Sequence, residues 1–425
     1  MANYIKLFAD ETAYSAFTGS SEYVTPNVSV CSGGGGSIFY NPKDYSLDYF
    51  TTVAKETGTI SFSGSTTANT LSYSKDNGAT WSNPMQKPSA TTLTAGDKVL
   101  WKGRCTPNTS GGIGKFTNGT AEFDIEGNVM SLLYGDGFKG RTSLEGKDYT
   151  FYRLFNGNTK VISAKNLSLP ATALAQYCYQ YMFNGCTSLT KAPELPATTL
   201  AINCYNSMFQ GCTSLTTAPV LRATTLASYC YNSMFQGCTS LTTAPALRAT
   251  TLANYCYFYM FYGCTSLTTA PELPATTLAD WCYDGMFASC TSLTTAPELP
   301  ATTLTQSCYS EMFYGCTSLT TAHELPAPEL VGSCYSYMFY GCTSLTTAPE
   351  LPAMTLADGC YYCMFSDCTI LNSITCLATN ISATGCTDYW LTNVAASGTF
   401  TKAASMEGWT TGANGIPTGW TVVNK

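Results

Sequence analysis

Charged residues are scarce in this chain of 425 residues. Asp, Glu, Lys and Arg make up 11% of it, and the formal net charge is −7 at pH 7. A protein that binds nucleic acid needs a basic patch or stripe to neutralise phosphates, so this balance argues against a nucleic-acid partner. Because 45% of the residues are apolar, the composition is nevertheless that of an ordered chain.

Long apolar runs and a recognisable leader are also missing. No uninterrupted apolar run reaches the length of a membrane span, so we expect no membrane insertion. The first residues, MANYIKLFADETAYSAF, carry one early lysine and then acidic residues, with no apolar centre before a cleavage site. They do not resemble a secretory signal. If Met1 is the natural start, we expect the chain to be made and folded in the cytosol.

What the chain has in abundance is an internal repeat. Nine cysteines recur every 26 residues from Cys178 to Cys386, and in the first eight copies a second cysteine follows eight residues later. The unit is approximately C-Y-x-x-M-F-x-G-C-T-S-L-T-T-A-P-E-L-P-A-T-T-L-A-x-x. Self-similarity at a fixed period of this length predicts a solenoid in which each unit stacks on its neighbours.

Each unit predicts one short strand and one short helix. The segment T-S-L-T-T-A-P is β-branched and stopped by Pro, which favours a strand. The segment T-T-L-A-x-x-C-Y-x-x-M-F-x-G-C favours a helix with a Thr N-cap and a Gly near its end. At about 100° per residue, the constant positions, such as Leu200, Cys204 and Met208, share one helical face. The positions that change between copies, those of Ile202, Asn203, Asn206, Ser207 and Gln210, share the opposite face, which we expect to meet water.

The changing face carries aromatic residues interleaved with Asn, Ser, Gln, Asp and Gly. Tyr beside small polar residues provides contact area at low entropic cost, and rows of exposed aromatics also suit sugar rings. The alternative is drift on a tolerant face, and the residues alone leave both interpretations open. The candidate ligand-binding residues are Tyr177, Tyr181, Tyr229, Tyr255, Phe258, Tyr259, Tyr262, Trp281, Tyr314, Tyr337, Tyr340 and Tyr362.

Twenty-one cysteines invite a disulfide or metal interpretation, but their spacing argues against both. Two cysteines eight apart on a helix would lie ~12 Å apart, beyond the ~7 Å that a disulfide allows. Only the row from Cys186 to Cys368, beside the strands, could bridge between units, and a reducing cytosol would keep it as thiols. The C-x₇-C spacing matches neither zinc fingers nor zinc ribbons. A row of repeated glutamates offers too few oxygens for calcium in any one unit. We therefore predict buried free thiols, no cofactor and no metal. The row comprises Glu194, Glu272, Glu298, Glu324 and Glu350.

Candidates for catalysis are few. The only histidine, His323, occupies a slot that holds Pro in other copies, and no Ser–His or Cys–His pair can be argued around it. The repeated glutamates have equivalent neighbours above and below, so no unique carboxylate pair stands out for glycoside hydrolysis. We predict that the protein is not an enzyme and has no catalytic residue.

The unit M-F-x-G-C-T-S-L-T-T-A-P-E-L-P-A-T-T-L resembles the BspA-like leucine-rich repeat, in a form common in gut Bacteroides and their phages. This resemblance covers roughly residues 150–390 and implies an α/β leucine-rich repeat solenoid that binds and does not catalyse. The first segment is similar to leaders of Bacteroides phage and prophage structural proteins in the pieces YIKLF, EYVTPNVSV and IFYNP. That similarity implies a virion protein made in the host cytosol.

The segments around the repeats complete the expected organisation. Alternating runs such as TISFSGS and KVLWKG favour a small antiparallel β domain before the solenoid. A degenerate unit with Asn158 in the place of cysteine is expected to cap the entry. The expected parts are an attachment segment (1–50), a small β-sandwich-like domain (51–127), an N-cap with a degenerate repeat (128–175), the leucine-rich repeat solenoid (176–390) and a C-terminal β cap (391–425).

These features favour a non-enzymatic, virion-associated adhesion or receptor-binding protein of a Bacteroides-type phage, exposed on the tail or capsid. The expected partners are other virion proteins through residues 1–50 and a host-surface glycan or protein through the changing face. A homo-oligomer is compatible with the sequence. Two alternatives stay open: a structural decoration of the capsid or tail, and a BspA-like adhesin of the bacterial cell surface.

Overall fold

A computed structural model describes residues 5–7, 37–39, 44–109 and 111–425. Strands β1 (Ile5–Leu7) and β2 (Ser37–Phe39) pair antiparallel. A 3-10 turn follows at Tyr45–Leu47. Most of the predicted attachment segment, residues 1–50, lies outside the described residues, and its role stays a prediction.

The region before the repeats consists of two β-sheets. One sheet has the strand order β10-β9-β3-β7-β5 and the other the order β6-β4-β8. Aromatic rings from both sheets meet between them, with Phe116 of the second sheet lying 5.3 Å from Trp101 and 5.2 Å from Phe50 of the first. The strands are β3 (Phe50–Ala54), β4 (Gly58–Gly64), β5 (Leu71–Ser74), β6 (Ser89–Leu93), β7 (Lys98–Gly103), β8 (Gly114–Thr117), β9 (Phe123–Asn128) and β10 (Val161–Ser168).

The first sheet runs on into the repeats. A four-residue helix, α1 (Ser131–Tyr134), and a 3-10 turn (Gly135–Gly137) follow β9. Strand β10 belongs to the degenerate repeat, yet it pairs parallel to β9. The buried Asn158 side chain donates to the main-chain oxygens of Phe116 and Thr117 at 3.1 and 3.3 Å. The degenerate repeat therefore connects the two-sheet region to the stack through main-chain pairing and through this amide.

Successive repeats stack in parallel register at the 26-residue offset. Isolated parallel bridges join Leu195 to Leu221, Thr217 to Thr243 and Thr295 to Thr321. The strand predicted in every unit is thus reduced to single bridged residues over most of the stack. Proline in T-T-A-P has no N–H to donate, so the ladder stops after one or two residues. An extended strand forms only at the two ends of the stack.

The predicted helix is wrong. The segment C-Y-x-x-M-F-x-G-C forms a run of turns with a left-handed residue at every fourth position, for example Tyr177, Tyr181 and Gly185 with φ of 59°, 56° and 70°. Along this run the N–H groups donate alternately within their own repeat and to the next repeat. Gln180 donates to the Tyr177 oxygen at 3.2 Å, whereas Tyr179 donates to the Cys204 oxygen at 3.0 Å.

The run of turns is favoured over a helix because its backbone hydrogen bonds link adjacent repeats. A helix would satisfy its backbone groups internally and leave adjacent repeats joined by side chains alone. Here about half of the N–H groups cross to the neighbour, so each repeat holds the next. A left-handed non-glycine residue costs about 1–3 kcal/mol, and these crossing bonds offset that cost.

The constant positions form the core as the sequence predicted. Leu200, Cys204 and Met208 are 7%, 0% and 0% exposed, because a four-residue turn places them on one side just as a helix does. The constant tyrosines stack ring on ring from Tyr179 to Tyr361 at 5.6–6.3 Å between centroids. The phenylalanines from Phe155 to Phe365 stack at 5.2–5.9 Å. We call these two stacks the interior ladders.

The far end of the stack closes with a parallel sheet. Strands β11 (Ser373–Cys376), β12 (Thr399–Lys402) and β13 (Thr421–Asn424) pair in that order. Trp390 ends the tyrosine ladder against Trp409 at 5.4 Å and 6°, and its Nε1 donates to the Gly415 oxygen at 2.9 Å. The aromatic core is covered in this way, while all four residues of β13 remain exposed at the edge.

Candidate functional site

The residues that change between repeats lie together along one side of the stack, and we call this side the variable stripe. The sequence prediction that the whole stripe faces water is wrong in the repeat of Cys204. Ile202 is 40% exposed, but Asn203, Asn206 and Ser207 are 9%, 7% and 4% exposed. Asn206 donates to Asn203 at 2.8 Å and Ser207 donates to Asn206 at 2.9 Å. Small polar side chains at adjacent turns pack between neighbouring repeats and satisfy one another there.

The twelve predicted aromatic residues all lie on the stripe. Eleven of them are half-buried and Tyr262 is 37% exposed, so none belongs to the interior ladders. Many stack on the equivalent ring of the next repeat: Tyr229 on Tyr255 at 4.5 Å, and Tyr255 on Trp281 at 5.0 Å. The stacked rings therefore cover one another's faces and present mainly edges and hydroxyls to solvent. Face-on stacking of a sugar needs a free ring face, which such a row offers chiefly at its ends.

The stripe aromatics form three clusters. Between the first two, amide side chains replace the rings: Asn184 donates to Gln210 at 2.8 Å and Gln210 to Gln236 at 2.6 Å. The first cluster is Tyr149, Tyr152, Arg153, Tyr177 and Tyr181. The second is Tyr229, Tyr255, Phe258, Tyr259, Tyr262 and Trp281. The third is Tyr314, Tyr337, Tyr340, Tyr362 and Tyr389.

Four members of these clusters were missed from the sequence. Tyr149, Tyr152 and Arg153 precede the repeats with full consensus, and their repeat is offset by 28 residues, as the stacking of Tyr149 on Tyr177 shows. Tyr389 follows the last of them and is 51% exposed. These residues could have been found by extending the 26-residue register beyond the consensus units, with a two-residue insertion at the entry.

The second cluster contains a pair of carboxylates. The Tyr259 hydroxyl donates to Glu311 Oε2 at 2.9 Å, across the intervening repeat. The ring passes over Gly285, where an added Cβ would lie 1.8 Å from Tyr259 Cε1, so only glycine permits this path. Glu311 and Asp284 sit on adjacent repeats, and Asp284 is only 6% exposed. The tyrosine thus reaches the carboxylates because the repeat between has no side chain there.

Burial dominates the electrostatics of this pair. Burial first, and then the charge of Glu311, raises the pKa of Asp284 to about 7, although a hydrogen bond from Ser310 opposes the rise. Burial and the Glu311 carboxylate likewise raise the pKa of Tyr259 above its usual value. Neither Asp284 nor Glu311 has a Lys, Arg or His ion-pair partner among residues 44–109 and 111–425. A positive charge arriving at the cluster would find two carboxylates to pair with.

The third cluster also holds carboxylates, and these accept hydrogen bonds from amide groups, whereas those of the second cluster accept from hydroxyl groups. Asn393 donates to Asp367 at 2.7 Å, and Asn414 donates to Asp388 at 2.7 Å. A hydrogen bond to Asp367, followed by burial, raises the pKa of Tyr340 to about 12.

The cysteines line the interior. All twenty in the described part of the chain are free and buried, whereas Cys31 falls outside it. The second cysteine of a repeat places its thiol 3.1 Å from the phenylalanine oxygen of the preceding repeat, as Cys212 does with Phe183. Burial raises the pKa of Cys212 well above its usual value, which disfavours the reactive thiolate. These thiols act as small packing groups that also donate a weak hydrogen bond.

The remaining predicted features lie away from the stripe. Glu194 pairs with Arg222 at 3.8 Å, and Glu350 pairs with Lys425. Glu272, Glu298 and Glu324 are exposed. Within the described ranges, no three His, Cys, Asp or Glu side chains are grouped so that they could hold a metal ion. His323 is half-buried.

The two best-formed cavities of the described part have volumes of about 190 and 280 Å³ and lie at Pro193–Arg222 and near Pro417. Sites for drug-sized ligands usually enclose ~300–1,000 Å³, so the surface itself is the better candidate for recognition. Among the described residues, no helix combines the length and apolarity that crossing a membrane requires.

Stacked units with a constant Leu-rich core define a leucine-rich repeat protein. The family described as "BspA type Leucine rich repeat region" matches residues 154–268 and 281–402, in six copies. These ranges make up more than half of the chain, and the chain belongs to this BspA-type family. Neither the curated proteins nor the solved structures give a match.

Proposed function

We propose that this chain is a non-enzymatic adhesion protein that binds a cell-surface glycan or protein through the variable stripe. The observation that carries the proposal is the separation of constant and changing positions within each repeat. Residues of the interior ladders hardly change, while the residues that change gather on one side and form clusters of half-exposed aromatics. Aromatic residues beside small polar ones provide rigid contact area, and membership of a BspA-type family is compatible with surface adhesion.

The finer proposal places the protein on a virion of a Bacteroides-type phage. Its support is the resemblance of YIKLF, EYVTPNVSV and IFYNP to phage structural leaders. In this arrangement residues 1–50 attach to other virion proteins and the repeats project outward, on the tail or the capsid. The second candidate is an adhesin of the bacterial cell surface, with which the family membership is compatible. Immunogold labelling of phage particles and of intact cells with an antibody to the repeats distinguishes these locations.

A triple variant tests the stripe as the binding surface. We expect Tyr255→Ala, Tyr259→Ala and Tyr262→Ala together to weaken adsorption of the labelled protein to Bacteroides cells by about tenfold or more, the loss of one strong contact cluster. The matched control changes three exposed threonines on another side of the same repeat and of the two before it: Thr216→Ala, Thr242→Ala and Thr268→Ala. Equal adsorption of both variants, with both folded, contradicts the proposal. If the triple variant instead impairs only virion assembly, the protein is a structural decoration.

A further inference from the structure

Charge is distributed unevenly along this chain. Sixteen of its twenty Lys and Arg residues lie at or before Lys191, whereas thirteen Asp and Glu residues follow that point. Of the four later cations, Arg222 and Lys425 pair with glutamates away from the stripe, and Lys402 donates to the Met406 oxygen at 2.6 Å. Arg248 occupies the position equivalent to Arg222. Beyond the first cluster, the variable stripe therefore has carboxylates and aromatics without a cation.

The first cluster shows how the stripe accommodates a cation. The Arg153 guanidinium lies 4.8 Å from the centroid of the Tyr152 ring and 5.3 Å from that of Tyr181. These distances are within the range of a cation–π contact. Arg153 occupies the same left-handed position of its repeat as Tyr181 does in the next. The repeat geometry thus holds a guanidinium among stripe rings, and here the chain supplies that group itself.

The second cluster has the same kind of rings and lacks the cation. Phe258 and Tyr262 flank Tyr259 at 4.2 and 5.3 Å between ring centroids. Beside these rings lie the carboxylates of Asp284 and Glu311, which have no basic partner in the described ranges. Leaving Asp284 buried and Glu311 half-buried without a counter-charge costs free energy, and a ligand that brings the charge recovers it.

The carboxylates continue along the stripe. Asp280 precedes the cluster residue Trp281, and Asp358, Asp367 and Asp388 follow on later repeats. A series of acidic groups spread over several stacked repeats suits an extended ligand with several positive charges better than one small cation. The rings of Phe258, Tyr259 and Tyr262 are tilted at 49° and 60° to one another and are not stacked, so a planar guanidinium or a slim ammonium group, being smaller than a sugar ring, fits against them.

We propose that the second cluster docks lysine or arginine side chains of an extended, basic segment of a partner protein. This inference rests on the proposed function, since it assumes that the stripe is the binding surface, and it assigns the class of partner. The partner's cations would lie against Tyr259 and Tyr262 and pair with Glu311 and Asp284. Electrostatic complementarity of this kind sets specificity and association rate.

Binding of hexa-arginine tests the proposal on the full-length protein. Fluorescence anisotropy of the labelled peptide is measured against a neutral Gly-Ser peptide of the same length, at about 150 mM salt, where distant exposed charges are screened. We expect Glu311→Gln to weaken hexa-arginine binding by about tenfold, while Glu298→Gln changes it less than about twofold. Glu298 is the matched control because it is an exposed glutamate of a neighbouring repeat on another side. If Glu311→Gln unfolds, Asp280→Asn replaces it, with an expected loss of about threefold.

Three outcomes would overturn the proposal. Equal weakening by Glu311→Gln and Glu298→Gln would show diffuse attraction to an acidic protein. No binding of hexa-arginine would exclude a basic segment. Binding of a chitosan hexamer, sensitive to Glu311→Gln, without hexa-arginine binding would make the ligand an amino sugar. The proposed function fails separately, when the triple tyrosine variant adsorbs to cells as well as its threonine control does.

Discussion

Two sets of aromatic rings run along the same repeats and differ in what constrains them. The interior ladders keep one residue type per position, and their rings stack at a nearly constant 5.2–6.3 Å from repeat to repeat. The stripe rings stack more closely, at 4.4–5.0 Å, but their rows break off wherever Asn, Ser, Gly or Ala replaces a ring. Stacking alone therefore does not distinguish core from candidate site.

The difference lies in what each ring would leave behind. An interior ring removed from the ladder leaves a cavity that two neighbouring repeats enclose. A stripe ring leaves a notch that water can enter. Constancy in the interior is thus enforced by packing, whereas the stripe is free to vary and to be selected for another purpose. Substitutions in one repeat test whether interior and stripe rings differ in their contribution to stability.

The largest effect is expected from truncating an interior ring. Phe287 is fully buried between Phe261 and Phe313, and we expect Phe287→Ala to lower the free energy of unfolding by about 3–5 kcal/mol. Trp281→Ala, in the same repeat on the stripe, is the matched control, with an expected loss of about 1 kcal/mol from its contact with Tyr255. Urea unfolding followed by circular dichroism measures both. Similar losses for the two variants would contradict the division into core and stripe.

A smaller and pH-dependent effect is expected at Asp284. Its pKa in the folded protein is raised from 3.8 to about 7, so folding favours the protonated form. The stability contribution of this group is therefore fully present below about pH 4 and is lost as the pH rises through about 7. The rise corresponds to about 4 kcal/mol as an upper limit. The groups that face it are Glu311, Tyr259, Tyr255 and Ser310.

Asp284→Asn isolates this contribution. We expect the variant to be more stable than the unsubstituted protein above pH 7 by about 2–4 kcal/mol and equally stable near pH 4. Urea unfolding at pH 4, 5.5, 7 and 8.5 measures the difference. The exposed Glu298, changed to Gln, serves as the control and is expected to leave the pH dependence as it is. A constant difference between Asp284→Asn and the unsubstituted protein at all four pH values would refute the assignment.

The sequence predicted the core better than the backbone. Leu200, Cys204 and Met208 are four residues apart, and both a helix and a run of four-residue turns place them on one side. The periodic pattern could not separate the two structures. Left-handed positions are the distinguishing feature, but only the last of three carries Gly in most repeats, while the others hold mostly Tyr, Ser or Asn. In the sequence, that Gly cannot be distinguished from the Gly at the end of a helix.

The candidate site was predictable in its members and not in its contacts. Tyr259 and Glu311 are 52 residues apart, or two repeats, and a register of equivalent positions does not bring them together. They meet because Gly285 lets the tyrosine ring cross the repeat between. The burial of Asp284 belongs to its position in the repeat, because the equivalent Ser310 and Ser336 are 8% and 7% exposed. Such contacts depend on which side chains are missing from the neighbouring repeat. A comparison of equivalent positions does not contain that information.

The smallest effect is expected from single hydroxyl groups of the tyrosine ladder. Tyr283 is 1% exposed and its hydroxyl is buried without a hydrogen-bond partner. An unsatisfied buried hydroxyl carries a desolvation cost, so we expect Tyr283→Phe to raise the free energy of unfolding by up to about 1 kcal/mol while its ring still stacks on Tyr257. Tyr231→Phe, at an equivalent position where the hydroxyl is not among the unpaired ones, is expected to be neutral or slightly destabilising. Urea unfolding of both variants tests the pair, and a loss of stability in Tyr283→Phe would show that this hydroxyl is hydrogen-bonded in solution and that the interior ladder is held by more than packing.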